Sequence, residues 1–304
     1  MTFLPPGVRV FLLRKVRDLS LGATIRRGER GGFIKLIVGF RPMHDTILVR
    51  YAEIGIKGNN RGMFENKLVE NIKACLQSQG IGKTAIERRF GRIMLHTSAS
   101  PDLSKVFGIA SYSTAIATGT SLEALQKAVE LHLTGFKTFR VTCSRLDKTF
   151  PLDSRAVAKE LGSFIVKKTG AKVSLETFDR EFIVEILHGK LYFITNTVAG
   201  PGGLPVGIEG NVVAYIDSEN AEKAALLLMK RGCAVIALLP HKRALHLLQS
   251  YAYGLHLQII ESSDIEGTAR KENAKAVIVG DTLHNLHTYD TTLPVMRPLV
   301  GGAA

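Results

Sequence analysis

Arg145 and Lys148 stand three residues apart at the point where an alternating stretch gives out. The segment 139–154 reads FRVTCSRLDKTFPLDS. Its first half has the β-branched and aromatic content of a strand, Phe150-Pro151 stops it, and Asp153 or Ser154 supplies a helix N-cap. A strand end that presents two cations beside a helix N-terminus suits a phosphate backbone. The side chains bring charge, and the helix brings oriented N–H groups.

The whole chain agrees with a polyanionic partner. Its 304 residues are enough to bury the cores of two or three domains, and its 40 Lys+Arg against 27 Asp+Glu give a net charge of +13. Such an excess points to nucleic acid or to an anionic membrane surface. Residues 1–42 carry nine basic and two acidic side chains, 43–207 carry 22 and 15, and 208–304 carry nine and ten. The last third therefore lies outside the electrostatic footprint. Beyond residue 42 no basic amphipathic helix stands out, and no run of about 18 apolar residues exists, so no membrane association is expected. Cys75, Cys143 and Cys233 form no C-x-x-C, which excludes a zinc ribbon or an iron–sulfur site built from cysteine pairs. Their odd, low number suits a reducing cytosol, and the expected location is cytoplasmic.

The elements that must position the two cations follow from periodicity. Residues 1–42 are a basic, Arg- and Gly-rich extension with a short basic helix around Leu12 and Arg17. An Arg-rich, acid-poor start can be a transit peptide. Met43, however, directly precedes a well-formed strand, DTILVRYAEI, so the extension reads as a disordered tail or as lying upstream of the true start. Residues 43–118 then show strand, helix, strand, strand, helix and strand, with the second helix over 101–107; this is the ferredoxin-like order. Residues 119–199 add a helix capped by Ser121, the strand of Arg145, a helix over 155–168, a short strand and a hairpin around His188-Gly189. GPGGLPVG at 200–207 is too rich in Gly and Pro for regular structure and reads as a linker. Strands and helices alternate over 208–304, which implies a parallel α/β sheet, and the chain ends soon after Pro294.

Six patterns in one order carry a resemblance: VRYAEIGIKGNNRGMFENKLVENIK, KVFGIASYS, FRVTCSRLDKTFPLDS, GPGGLPVG, LLLMKRGCAVI and LPVMRPLVG. From Met43 onward the chain resembles the tRNA 4-thiouridine synthetase (tRNA sulfurtransferase) family. The resemblance implies an α+β ferredoxin-like domain, a THUMP α/β domain, and a truncated Rossmann-like α/β domain of the PP-loop type. It also implies tRNA binding by the first two domains, chiefly at the acceptor stem, where recognition is of shape. Arg145, Lys148 and Phe150 match the THUMP pattern, and Lys57 and Arg61 match the turn that opens the first helix. Lys67, Arg155 and Lys159 are further candidate RNA contacts.

The chemistry implied for the last domain is not matched by its residues. The family's PP-loop reads S-G-G-x-D-S before a helix, where small glycines let backbone N–H groups close around a pyrophosphate. Counted back from MKRG, Ile216, Asp217, Ser218, Glu219 and Asn220 stand there, with Glu222 two residues on. Carboxylates at a phosphate cradle repel the ligand. Moving Ile216-Asp217-Ser218 onto x-D-S still leaves Val213, Ala214 and Tyr215 in the S-G-G positions. The family's catalytic cysteine lies late in this domain, because sulfur transfer needs a nucleophilic thiol, and no cysteine follows Cys233. His284 and His287 could share a helix face, but no third metal ligand has matching spacing. The expectation is a tRNA-binding protein with a degenerate PP-loop, no sulfurtransferase activity and no cofactor, serving a separate tRNA-modifying enzyme. The alternative is an active tRNA sulfurtransferase that binds ATP at an atypical nucleotide site. A homodimer is compatible with either.

Overall fold

The structure is a computed structural model that describes residues 44–89 and 91–301. The expected basic extension at 1–42 and its short helix lie outside the described residues. The fold begins with β1 (Thr46–Arg50), α1 (Arg61–Ser78), β2 (Ala85–Arg89), β3 (Arg92–His96) and β4 (Ser111–Gly119). In α1, Phe64, Leu68, Ile72, Cys75 and Leu76 recur every three or four residues. That stripe buries against Ile47, Val49, Ile93 and Leu95 on the strands. Segment 101–107 is not helical, contrary to expectation. Its Leu103, Val106 and Phe107 are buried, but Asp102 accepts from the Ser104 N–H (2.9 Å), and this side-chain turn takes the place of a helical one.

The chain continues through α2 (Leu122–Glu130), β5 (Thr138–Arg145), α3 (Ser154–Thr169), β6 (Lys172–Val173), β7 (Arg180–Leu187) and β8 (Lys190–Ala199). Ser121 caps α2 and Asp153 caps α3 by accepting from the Ala156 N–H (2.7 Å). Gly170 ends α3 with φ of +70°, the left-handed turn that glycine adopts without strain. Phe139, Phe182 and Phe193 join Leu125, Val129, Leu161 and Ile165 in the core beneath the two helices.

All eight strands form one sheet, in the order β2-β3-β1-β4-β8-β7-β5-β6. The join is the antiparallel pairing of β4 with β8, from Ser111↔Ala199 to Gly119↔Leu191. A break in chain pattern near residue 118 is therefore not a break in the sheet.

Residues 200–207 are irregular, but they are packed rather than loose. Gly202 N donates to Ile109 O (2.9 Å), Leu204 N donates to Lys230 O (2.9 Å), and Leu204 and Val206 are buried. Gly203 has φ of +76°, and a Cβ there would collide with the Lys230 carbonyl. Beyond it lie β9 (Asn211–Tyr215), α4 (Glu219–Lys230), β10 (Ala234–Leu239), α5 (His246–Ala252), β11 (Gln258–Glu261), α6 (Ile265–Lys271), β12 (Val277–Ile278) and β13 (Val295–Met296). The five strands are parallel, in the order β11-β10-β9-β12-β13. Apolar residues cover both faces, which explains the unbroken AVIALL of β10. Strand order reverses between β9 and β12, which opens a crevice at their carboxyl ends.

Candidate nucleic-acid interface

The loop after β5 is tied down from within. Arg145 donates from Nε to Asp147 O (2.9 Å) and from Nη2 to Phe150 O (2.7 Å). The Asp147 carboxylate accepts from the Thr149 N–H (2.9 Å), from the Thr149 hydroxyl and from the His188 N–H, which pins the loop to the β7–β8 hairpin. These bonds outweigh burial and hold the Asp147 carboxyl below its ordinary value. Lys148 is exposed at the apex of this frame. Arg145, expected to meet phosphate, is half-buried and bonds its own loop. Phe150, expected at the RNA surface, is 2% exposed and packs in the core, so its ring offers no face to a base.

The remaining expected contacts divide in the same way. Arg61 donates from Nε to Glu65 (2.8 Å) and from Nη2 to the Tyr51 hydroxyl (2.7 Å). Burial, together with the Tyr51–Glu65 hydrogen bond, pushes the Tyr51 phenol up to about 12. Lys57 lies 4.8 Å over the Phe64 ring, and Lys67 pairs with Glu70 (3.1 Å). Arg155 and Lys159 are exposed on α3, and no described acidic side chain pairs with either.

A buried network that the expectations missed crosses the sheet. Glu185 on β7 is 3% exposed and accepts from Arg50 of β1 (Nε, 3.0 Å) and Arg92 of β3 (Nε, 3.2 Å). Arg50 also donates to Ser113 (2.7 Å), whose hydroxyl meets that of Thr197 (2.7 Å) across the β4–β8 join. The network thus locks the two halves of the sheet. The available signal was a carboxylate inside the apolar strand FIVEIL, since a charge so placed needs partners.

At the carboxyl ends of β9 and β12 the turn into α4, residues 216–218, contains no glycine. Ile216 is fully buried, and Asp217 is exposed beyond β9. The Ser218 hydroxyl accepts from the Ala221 N–H (3.2 Å) and so caps its own helix, with Glu219 and Asn220 exposed in the first turn. The Gly280 backbone lies directly against that turn, where a Cβ would collide with Ala221 N. Glu222 does not point at this cradle, contrary to the repulsion expected of it: it accepts from the Leu247 and Leu248 N–H groups (2.9 and 3.0 Å). Asp281, just past β12, accepts from His287 N and Nδ1 (3.1 Å each), the Tyr289 hydroxyl (2.8 Å) and Arg297 Nε (2.9 Å). Burial pushes this carboxyl up, but the four donors outweigh burial and hold it at about 2. His284 lies on a turn closed by a Thr282–Asn285 bridge and His287 in the irregular segment after it, so the two do not share a helix. Among the described residues no cluster of His, Cys, Asp and Glu could hold a metal. Cys233 is buried, and burial raises its thiol above the ordinary range; the Cys75 thiol is pushed up to about 12 in the same way.

Comparison with known proteins places this geometry. The model of the ThiI ferredoxin-like domain matches residues 46–113, and the THUMP domain model matches 122–196. A probable tRNA sulfurtransferase of Thermococcus kodakarensis is 31% identical over 85% of this chain and 84% of its own. One from Thermus thermophilus is 30% identical over 85% and 78%. The alignment to the Thermococcus protein runs to 323 positions, so stretches inside it have no counterpart in this 304-residue chain. The crystal structure of PH1313 from Pyrococcus horikoshii superposes with a TM-score of 0.76 at 32% identity, covering 85% of this chain and 95% of that one. A 4-thiouridine synthetase solved in complex with RNA and bound ATP gives a TM-score of 0.72 at 24% identity, covering 85% and 81%. That second likeness is one of fold.

Proposed function

Since the chain belongs to the tRNA sulfurtransferase family, we propose that it binds tRNA through its ferredoxin-like and THUMP domains and takes part in tRNA modification without carrying ATP-dependent sulfur transfer itself. The acceptor-stem region of the tRNA is the expected contact. Lys148 and Arg155 supply charge to the phosphates, and the bonded loop at 145–150 holds Lys148 in place. The observation that carries the non-catalytic reading is the N-terminus of α4. Its Ser218 cap, its exposed Glu219 and the Gly280 backbone stand where the family folds glycines around a pyrophosphate.

A second reading, an active tRNA sulfurtransferase with an atypical nucleotide site, is favoured by the names and coverage of the relatives. ATP–pyrophosphate exchange, with and without tRNA, separates the two. Tight tRNA binding without exchange is expected; exchange that depends on tRNA would sink the non-catalytic reading and install the second.

A further inference from the structure

A groove lies between α3 and the outer end of the eight-stranded sheet. It encloses about 580 Å³, with Phe139 and Val141 in its floor. Val166, Val173 and Leu175 along its sides are 41%, 54% and 70% exposed. Large aliphatic side chains left in water on one patch mark a surface that something else covers. β6, at the sheet's outer end, pairs with β5 alone, so it does not close the groove on its far side.

Charge says what the cover is. Lys159 and Lys167 border the groove from α3; both are exposed, and no described carboxylate pairs with either. They stand eight residues apart on one helix, about 12 Å at 1.5 Å per residue. Between them Gly162 and Ser163 keep the helix surface low, so that a second backbone can approach. We propose that this groove docks an acidic amphipathic segment of a partner protein: two turns of helix with apolar side chains in the groove and carboxylates at each end, one for each lysine. RNA fits the lining poorly: a phosphate backbone gives the exposed Val166, Val173 and Leu175 nothing apolar to bury against, and the one aromatic ring here, Phe139, is fully buried and offers no face for a base.

The test uses the full chain and a labelled synthetic helix carrying leucines at i, i+4 and i+7 with glutamates at both ends. Fluorescence anisotropy should show saturable binding. Leu175→Asp and the double variant Lys159→Glu, Lys167→Glu should each weaken it at least tenfold, as should a peptide with lysines for its glutamates. Leu175→Asp should leave the melting temperature and tRNA affinity unchanged, because Leu175 is exposed and lies outside the proposed RNA contacts. Three results overturn the proposal. They are equal binding by a scrambled peptide of the same composition; a tenfold loss of tRNA binding in Leu175→Asp, which gives the groove to RNA; and sedimentation of the chain as a dimer that Leu175→Asp dissociates, which gives it to a second copy. Failure of the tRNA reading would appear separately, as weak tRNA binding by the unsubstituted chain.

Discussion

In the eight-stranded part of the chain several arginines are bonded into the fold and several lysines face solvent, whereas in the five-stranded domain the internal bonding converges on carboxylates. Arg50 and Arg92 hold Glu185, Arg61 holds Glu65 and Tyr51, and Arg145 holds two carbonyls of its loop, while Lys148, Lys159 and Lys167 are exposed. Across the chain, Glu222 accepts two N–H groups at the start of α5, Asp281 accepts four donors, and Glu266 accepts from Thr291, Thr292 and Arg270. A guanidinium presents a planar fork that suits fixed acceptors, whereas an ammonium on a flexible stem works as a hydrated point charge. Charge alone therefore does not separate the bonded cations of the basic half from the solvent-facing ones. Arg50, Arg61, Arg92 and Arg145 are architecture, whereas Lys148, Lys159, Lys167 and Arg155 keep their charge toward solvent.

The strongest way to break this comparison is Glu185→Ala. It leaves two half-buried guanidinium groups without their acceptor, and truncating one member of a buried ion network costs about 3–5 kcal/mol. The urea midpoint should fall accordingly; a fall typical of a surface site would show that the network is not structural. Acid probes the other domain. The Asp281 carboxyl sits at about 2 in the fold against an ordinary 3.8, and its side chain is 2% exposed. Because the folded value is depressed, its contribution is complete above pH about 4 and is lost as pH falls toward 2. That contribution is on the order of 2 kcal/mol. Asp281→Asn should remove this part of the acid dependence of the urea midpoint, and an unaltered pH profile would refute the assignment. The smallest effect sharpens the arginine–lysine division. Lys148→Ala should flatten the log–log salt dependence of tRNA affinity by about one counterion and leave stability alone. Arg145→Ala should lower stability as well, because it unties the loop. Equal behaviour of the two variants would erase the division.

Much of the architecture was legible in the chain. The i, i+4 stripe of α1, the caps at Ser121 and Asp153 and the stop at Gly170 are local signals, and local hydrogen bonding enforces them. The missing glycines before α4 were legible for the same reason. What escaped depends on partners distant in sequence. Nothing near Phe150 tells a core ring from a stacking ring; the contacts that bury it come from α3 and the strands. The bonds of Arg145 to the carbonyls of residues 147 and 150 depend on how the loop turns, which its sequence does not announce. Segment 101–107 has helical apolar spacing, but Asp102 gives its backbone a competing turn. The joining of two sheets through β4 and β8 leaves no local mark at all.

That join has a consequence for the chain while it is being made. β4 cannot find its second neighbour until β8 has been synthesised, since Ser111 pairs with Ala199. Until then a nine-residue strand has an open edge, a template for pairing with other chains. A fragment cut after residue 119 would keep that edge permanently. It should aggregate where the intact chain stays dispersed, because the first half of the sheet is completed only by the second.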